Sequence, residues 1–82
     1  MKTIVYYAPI RAIVKKEREQ TDARSVKDVL ESIKHAYGKE AYAAAKSALI
    51  VVNGVSIGLN SGLKTPLNDG DEVGFLPVCG GG

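Results

Sequence analysis

Asn68-Asp69-Gly70-Asp71-Glu72-Val73-Gly74-Phe75-Leu76-Pro77-Val78-Cys79-Gly80-Gly81-Gly82 closes the chain, and its three parts behave differently. Asn68 to Asp71 has turn chemistry, because short Asx side chains bond nearby backbone and glycine reaches positive φ without strain. Glu72 to Pro77 is apolar enough to be a last strand, ended by its proline. Cys79 to Gly82 has almost nothing to pack, since glycine lacks a Cβ and loses the most freedom on ordering. Residues 79–82 are therefore expected to leave a folded body of residues 1–78 as a thin tail bearing the α-carboxylate. Four residues span at most about 13 Å, at roughly 3.3 Å each. That is enough to thread a narrow channel in another protein, and function is expected at this tail.

Upstream, Leu49-Ile50-Val51-Val52 is apolar on consecutive positions, as expected of a strand that is central or covered on both faces. Asn53-Gly54 follows it at once and predicts a two-residue hairpin turn, with Val55 to Ile57 as the return strand. Residues 58–66 read as a loop. At the other end of the chain, Ile4 to Ala8 is β-branched and aromatic and stops at Pro9, so it predicts a first strand. Ile10, Ile13 and Val14 have helical spacing, enough for one turn. Glu17 to Asp22 is read as a second strand paired with the first.

The clearest helix runs from Ser25 to Tyr37. Ser25 is placed to cap it by accepting from the amide of Asp28, and Gly38 to close it in the left-handed conformation. Val26, Val29, Leu30, Ile33 and Tyr37 recur at the spacing of one buried face. Glu40 to Lys46 predicts a second, alanine-rich helix with its stripe on Tyr42 and Ala45. A helix between two strand pairs implies a mixed sheet with the helix across one face and the first and last strands adjacent in its middle. The expected fold class is α+β, a β-grasp.

Eighty-two residues, 45% of them hydrophobic, suffice for one domain with a modest core. Eleven basic and nine acidic residues leave a net charge of +2. They are interspersed, so no footprint for nucleic acid is visible. One cysteine excludes an internal disulfide, and no Cys/His set suits a structural zinc. No segment approaches membrane-spanning length and no signal peptide is apparent, which makes a cytoplasmic protein the expectation.

Leu67 to Val78 followed by glycines resembles the close of the MoaD-type small subunit of molybdopterin synthase. Those proteins end in a Leu-x-Asp-Gly-Asp-Glu-Val segment, an apolar strand, Pro-Val and Gly-Gly. The strand and turn from Ile4 to Val14, carrying Arg11, and Asn53-Gly54 after an apolar strand are similar to the same family. The likeness spans essentially the whole chain. It implies a ubiquitin-like β-grasp acting as a sulfur carrier in molybdenum or tungsten cofactor synthesis. An ATP-using, ubiquitin-activating-like enzyme would adenylate the carboxylate of Gly82, and a sulfur donor would turn it into a thiocarboxylate. Gly80 and Gly81 would fit the partner's channel, and the tail would enter the large synthase subunit. The carrier would hold no cofactor or metal and would itself be non-catalytic, the work being done by positioning in the partner's site.

Two departures stand out. The chain has a third glycine, which moves the carboxylate outward by roughly 3.3 Å unless Gly82 is trimmed. Leu76 also stands where the family often has a first proline. For partner docking the candidates are Phe75, Pro77 and Val78, with simple core packing as the other reading, and Arg11 as an ion-pairing residue. Cys79 reads as a tolerated small residue, and His35 as surface. Asp69, Asp71 and Glu72 read as turn chemistry rather than a metal cluster. A second function stays open: a protein modifier joined through its terminal glycine to target lysines. A thiamine- or cysteine-branch carrier is a third, although those relatives are usually shorter or lack the arginine turn.

Overall fold

The computed structural model describes residues 1–78, so the expectations placed on Cys79, Gly80, Gly81 and Gly82 lie outside the described residues. Along the chain run β1 (Lys2–Tyr6), α1 (Ile10–Val14), β2 (Arg18–Thr21), α2 (Val26–Tyr37), α3 (Lys39–Ser47), β3 (Leu49–Val52), β4 (Val55–Ser56) and β5 (Glu72–Leu76). They form one five-stranded sheet in the order β2-β1-β5-β3-β4. β1 and β5 pair in parallel, Ile4 opposite Val73 and Tyr6 opposite Phe75. The other pairings are antiparallel. This is the mixed sheet expected, with the last strand at its centre.

Alternation along the strands decides what the sheet buries. Ile4, Tyr6, Ile50, Val73 and Phe75 face α2 and join its buried Val26, Val29, Leu30 and Ile33 in one core. Tyr6 and Phe75 are both fully buried, their rings stacked with centroids 6.4 Å apart. α2 begins as its sequence implies, with Ser25 Oγ accepting from the Asp28 amide at 3.2 Å. It ends at Gly38, whose φ of 93° is positive as expected of a closing glycine, but whose ψ of −176° is extended rather than left-handed helical.

Several boundaries differ from the expectation, each for a tertiary reason. β1 starts two residues early because Lys2 and Thr3 pair with Thr21 and Gln20. It stops at Tyr6 because the Tyr7 carbonyl accepts from the Arg11 amide and turns the chain into α1. Ile57 leaves β4 for a short 3-10 turn, where Ser56 Oγ accepts from the Gly58 amide at 3.2 Å. A second such turn spans Gly62–Lys64, within the segment read as loop. In α3 the buried positions are Ala41 and Ala45, not Tyr42, since methyl groups let the helix lie close against α2.

The larger correction concerns β3. It is an interior strand, paired with β5 and β4, but it is not covered on both faces, since Leu49 is 44% exposed. The helices cover one face of the sheet only.

Lys15 closes α1 with φ 61°, a left-handed conformation costly for a residue with a Cβ. Lys15→Gly is therefore expected to stabilise the fold by about 0.5–1 kcal/mol, part of the gain being offset by the freer unfolded chain. Urea titration of the two proteins measures it.

Candidate docking face at the root of the tail

The strand register defines two ends of the sheet. β1 and β5 finish at one end, where β3 begins, Leu49 opposite Leu76. Pro77 and Val78 continue from β5 at that end, and both are exposed, Val78 at 63%. This is the root of the four residues singled out in the sequence.

Beside it lies the uncovered face of the sheet. Gly74, on this face, is opposite Val5 on one side and Val51 on the other. A Cβ at Gly74 would come within 3.2 Å of Val51 Cγ2 and 3.6 Å of Tyr7 Cε2, so these two side chains close over its backbone. Leu49 and Leu76 lie next along β3 and β5 on the same side. Tyr7, Val51, Leu49 and Leu76 thus make a continuous, partly exposed apolar plate that runs up to Val78. Such a plate beside polar edges is the form of a protein-binding surface.

Arg11 borders it. Its Nε donates to the Tyr6 carbonyl at 2.9 Å, a guanidinium nitrogen lies 3.5 Å from Glu17, and the head group stands 6.0 Å from the Tyr7 ring. Arg11 therefore fixes Tyr7 at the plate's margin.

Of the docking candidates, Phe75 must be corrected. It is fully buried, because alternation turns Val73 and Phe75 toward α2 and leaves Gly74 and Leu76 on the other side. Its side chain offers a partner no surface. Pro77 and Val78 are exposed and Arg11 is close by; Leu49, Val51 and Tyr7 were missed. The signal was present, since a single long helix and two short ones cover one sheet face, so a strand apolar on both faces must show one of them.

The acidic turn does what its sequence implies. Asp69 Oδ1 accepts from the N-terminal ammonium at 3.0 Å, and Asp71 accepts from Asn53 Nδ2 at 3.0 Å and the Asn68 amide at 2.8 Å. Asn53, at φ 52°, also accepts from the Glu72 amide, tying the β3–β4 hairpin to the start of β5. These contacts hold Asp69 and Asp71 below the usual carboxylate range. A cleft of about 360 Å³ beside the hairpin, lined by Val52, Asn53, Val55 and Asp71, lies at the end away from the tail root and brings no nucleophile to a base. His35 is exposed on α2. No helix among the described residues is long and apolar enough to cross a membrane.

One polar cluster braces the tail-root end from within. Glu19 accepts from the hydroxyls of Tyr6 and Tyr37, both at 2.7 Å, and from Lys16 Nζ at 3.1 Å. Partial burial of Glu19 pushes its pKa up, but the bonds from Tyr6, Tyr37 and Lys16 outweigh it and hold the carboxyl below its ordinary value. Burial, then the bond to Glu19, raises Tyr6. A carboxyl depressed in the folded state stabilises above its unfolded pKa, and that stability is lost as pH falls through the folded value. Melting temperature is therefore expected to drop below about pH 4.5, and to drop less in Glu19→Gln, which has no such proton to take up. Thermal melts of both proteins across the acid range check the sign.

A mixed sheet whose final strand lies between the first and third, crossed by one long helix, is a ubiquitin-like β-grasp. The ThiS family model matches residues 4–82, and the chain belongs to that family of ubiquitin-like sulfur carriers and modifiers. Among solved structures it is similar to small archaeal modifier protein 1 from Methanosarcina acetivorans, with 29% identity and a TM-score of 0.82 over 99% of this chain and 95% of that one. A chain in the complex of subunits 1 and 2 of molybdopterin-converting factor from Helicobacter pylori shares 28% identity, with a TM-score of 0.69 over 98% and 97%. The BexX/CysO complex from Amycolatopsis orientalis gives 0.83 over 100% of both chains at 17% identity, which speaks to the fold alone. Among curated protein sequences none matches this chain.

Proposed function

We propose that this protein is a sulfur carrier for molybdopterin synthesis. A partner enzyme would adenylate the carboxylate of Gly82 with ATP, and a sulfur donor would displace the AMP to leave a thiocarboxylate. A free carboxylate is a poor electrophile, so activation must precede attack by sulfur. The thiocarboxylate would then be presented to a pterin precursor inside a larger subunit that the tail enters, with Gly80 and Gly81 in the channel. The body contributes no acid or base to these steps; it docks and positions. The observation that carries the reading is the apolar plate of Tyr7, Leu49, Val51 and Leu76, which meets Val78 where the glycine tail departs. The resemblance to molybdopterin-converting factor points the same way.

The test is the intact mass of the protein after incubation with an adenylating enzyme, ATP and a sulfide source. Replacement of one carboxylate oxygen by sulfur is expected. An unchanged mass with an active enzyme would defeat the proposal.

A second reading, attachment of the terminal glycine to target lysines, is favoured by the likeness to an archaeal modifier protein. It uses the same adenylated glycine. A ladder of conjugates on blots of cell extract, absent when the carrier chain is deleted, would support it over the sulfur-transfer reading.

A further inference from the structure

The four cation–π pairs among the described residues all gather at the tail-root end. Arg11 stands over Tyr7, Lys16 stands 5.8 Å from the Tyr37 ring, and Lys34 and Lys46 stand 5.1 Å and 5.8 Å from the single ring of Tyr42. Topology fixes their place. Lys46 lies in the last turn of α3, three residues before Leu49, which is paired with Leu76 at the foot of the tail. Lys34 lies in the last turn of α2, whose end is pinned to this side by the Tyr37–Glu19 bond. The turn that carries Asp69 and Asp71 is at the other end, ahead of β5. Arg11, Lys16, Lys34 and Lys46 thus form a basic pole at the end of the sheet where Pro77 and Val78 follow β5.

The cations of that pole are not equivalent. Arg11 and Lys16 are neutralised by Glu17 and Glu19. Lys34 and Lys46 have no carboxylate partner among the described residues. Two ammonium groups brought from different helices to one partly buried phenol ring repel each other, and the ring attracts each only modestly. An anionic group between them relieves the repulsion.

We propose that Lys34 and Lys46, presented on Tyr42, are a docking point for a carboxylate-bearing surface at the mouth of the partner that receives the tail. This rests on reading the tail as the functional end. Complementary charge beside the entering tail raises the rate of productive encounter and rejects partners with basic rims. The apolar plate then holds what the charge has steered.

The test uses the full chain and a fluorescent oligoglutamate at low ionic strength, where screening extends over about 30 Å. Lys34→Glu/Lys46→Glu is expected to weaken binding about ten-fold and Lys34→Gln/Lys46→Gln less, while Lys2→Glu/Lys64→Glu at the other positions changes it less than about two-fold. Backbone amide shifts on titration are expected at the ends of α2 and α3. Equal weakening by both glutamate pairs would overturn the proposal, because the binding would then follow net charge alone. A single-stranded oligonucleotide that binds through Lys34 and Lys46 more tightly than oligoglutamate would overturn it too, in favour of a phosphate ligand. Sulfur loading is a separate readout. If the tail reading fails, the wild-type protein takes up no sulfur yet still binds oligoglutamate through these lysines.

Discussion

A chain truncated after Gly80 is expected to melt within about 1 °C of the full-length protein and to take up no sulfur at all. The two halves of this result have separate causes. Among the described residues every member of the hydrophobic core lies between Ile4 and Phe75, and glycine has no side chain to add to it. Chemistry, by contrast, would need the carboxylate to sit within bonding distance of a partner's reacting atoms. Misplacement by even an ångström can cost about a hundred-fold in rate, and two residues shorten the reach by roughly 7 Å. Capping Gly82 as an amide tests the same idea without changing length, because the nitrogen blocks adenylation. Sulfur uptake by either protein, read as intact mass, would show that the reactive group lies elsewhere.

Phe75→Ala is expected to destabilise the protein by about 3–5 kcal/mol, the cost of emptying a large buried aromatic site. A chain of this length has a total stability of only about 4–12 kcal/mol. The variant should therefore sit close to its unfolding transition at physiological temperature. Phe75 is fully buried, faces α2 and stacks on Tyr6, so the void would open at the centre of the core. Val78→Ala, by comparison, should leave stability within about 0.5 kcal/mol, since its side chain is mostly in water. Urea unfolding of the pair separates the core residue from the surface one. If both variants unfold at the same denaturant concentration as the parent, Phe75 does not support the core.

The elements most legible in the sequence are those whose cause is local. Ser25 and Gly38 mark the ends of α2 because a hydroxyl cap and a positive-φ glycine act within one turn. Asn53-Gly54 marks its hairpin for the same reason, and Asn53 and Gly54 both take positive φ. The spacing of Val26, Val29, Leu30 and Ile33 fixed the buried side of α2, and all four are buried. Boundaries set by pairing were less legible. Lys2 and Thr3 look like a frayed start, and only their partners Thr21 and Gln20 make them strand.

The candidate site was half legible. The tail stands out because glycine runs are rare and physically distinctive, and Pro77, Val78 and Arg11 lie near its root. Phase along β5 was the difficulty. Phe75 and Leu76 are neighbours in sequence and face opposite sides of the sheet, and nothing local says which side meets the helix. The plate of Tyr7, Leu49, Val51 and Leu76 draws on two strands, β3 and β5, and the turn after β1, so it exists only once they are assembled. The same holds for Lys34 and Lys46, twelve positions apart in sequence and joined at one tyrosine.

The order of residues by itself determined that there would be one long amphipathic helix, a set of short strands with their turns, and a last strand running into glycines. Those outcomes depend on backbone preference and on hydrophobic period, which act over a few residues. Assembly alone decided that β5 would take the centre of the sheet, that one sheet face would stay bare, and that positive charge would collect around the foot of the tail. Pairing and packing join residues dozens of positions apart, and their energy depends on every partner being in place at once.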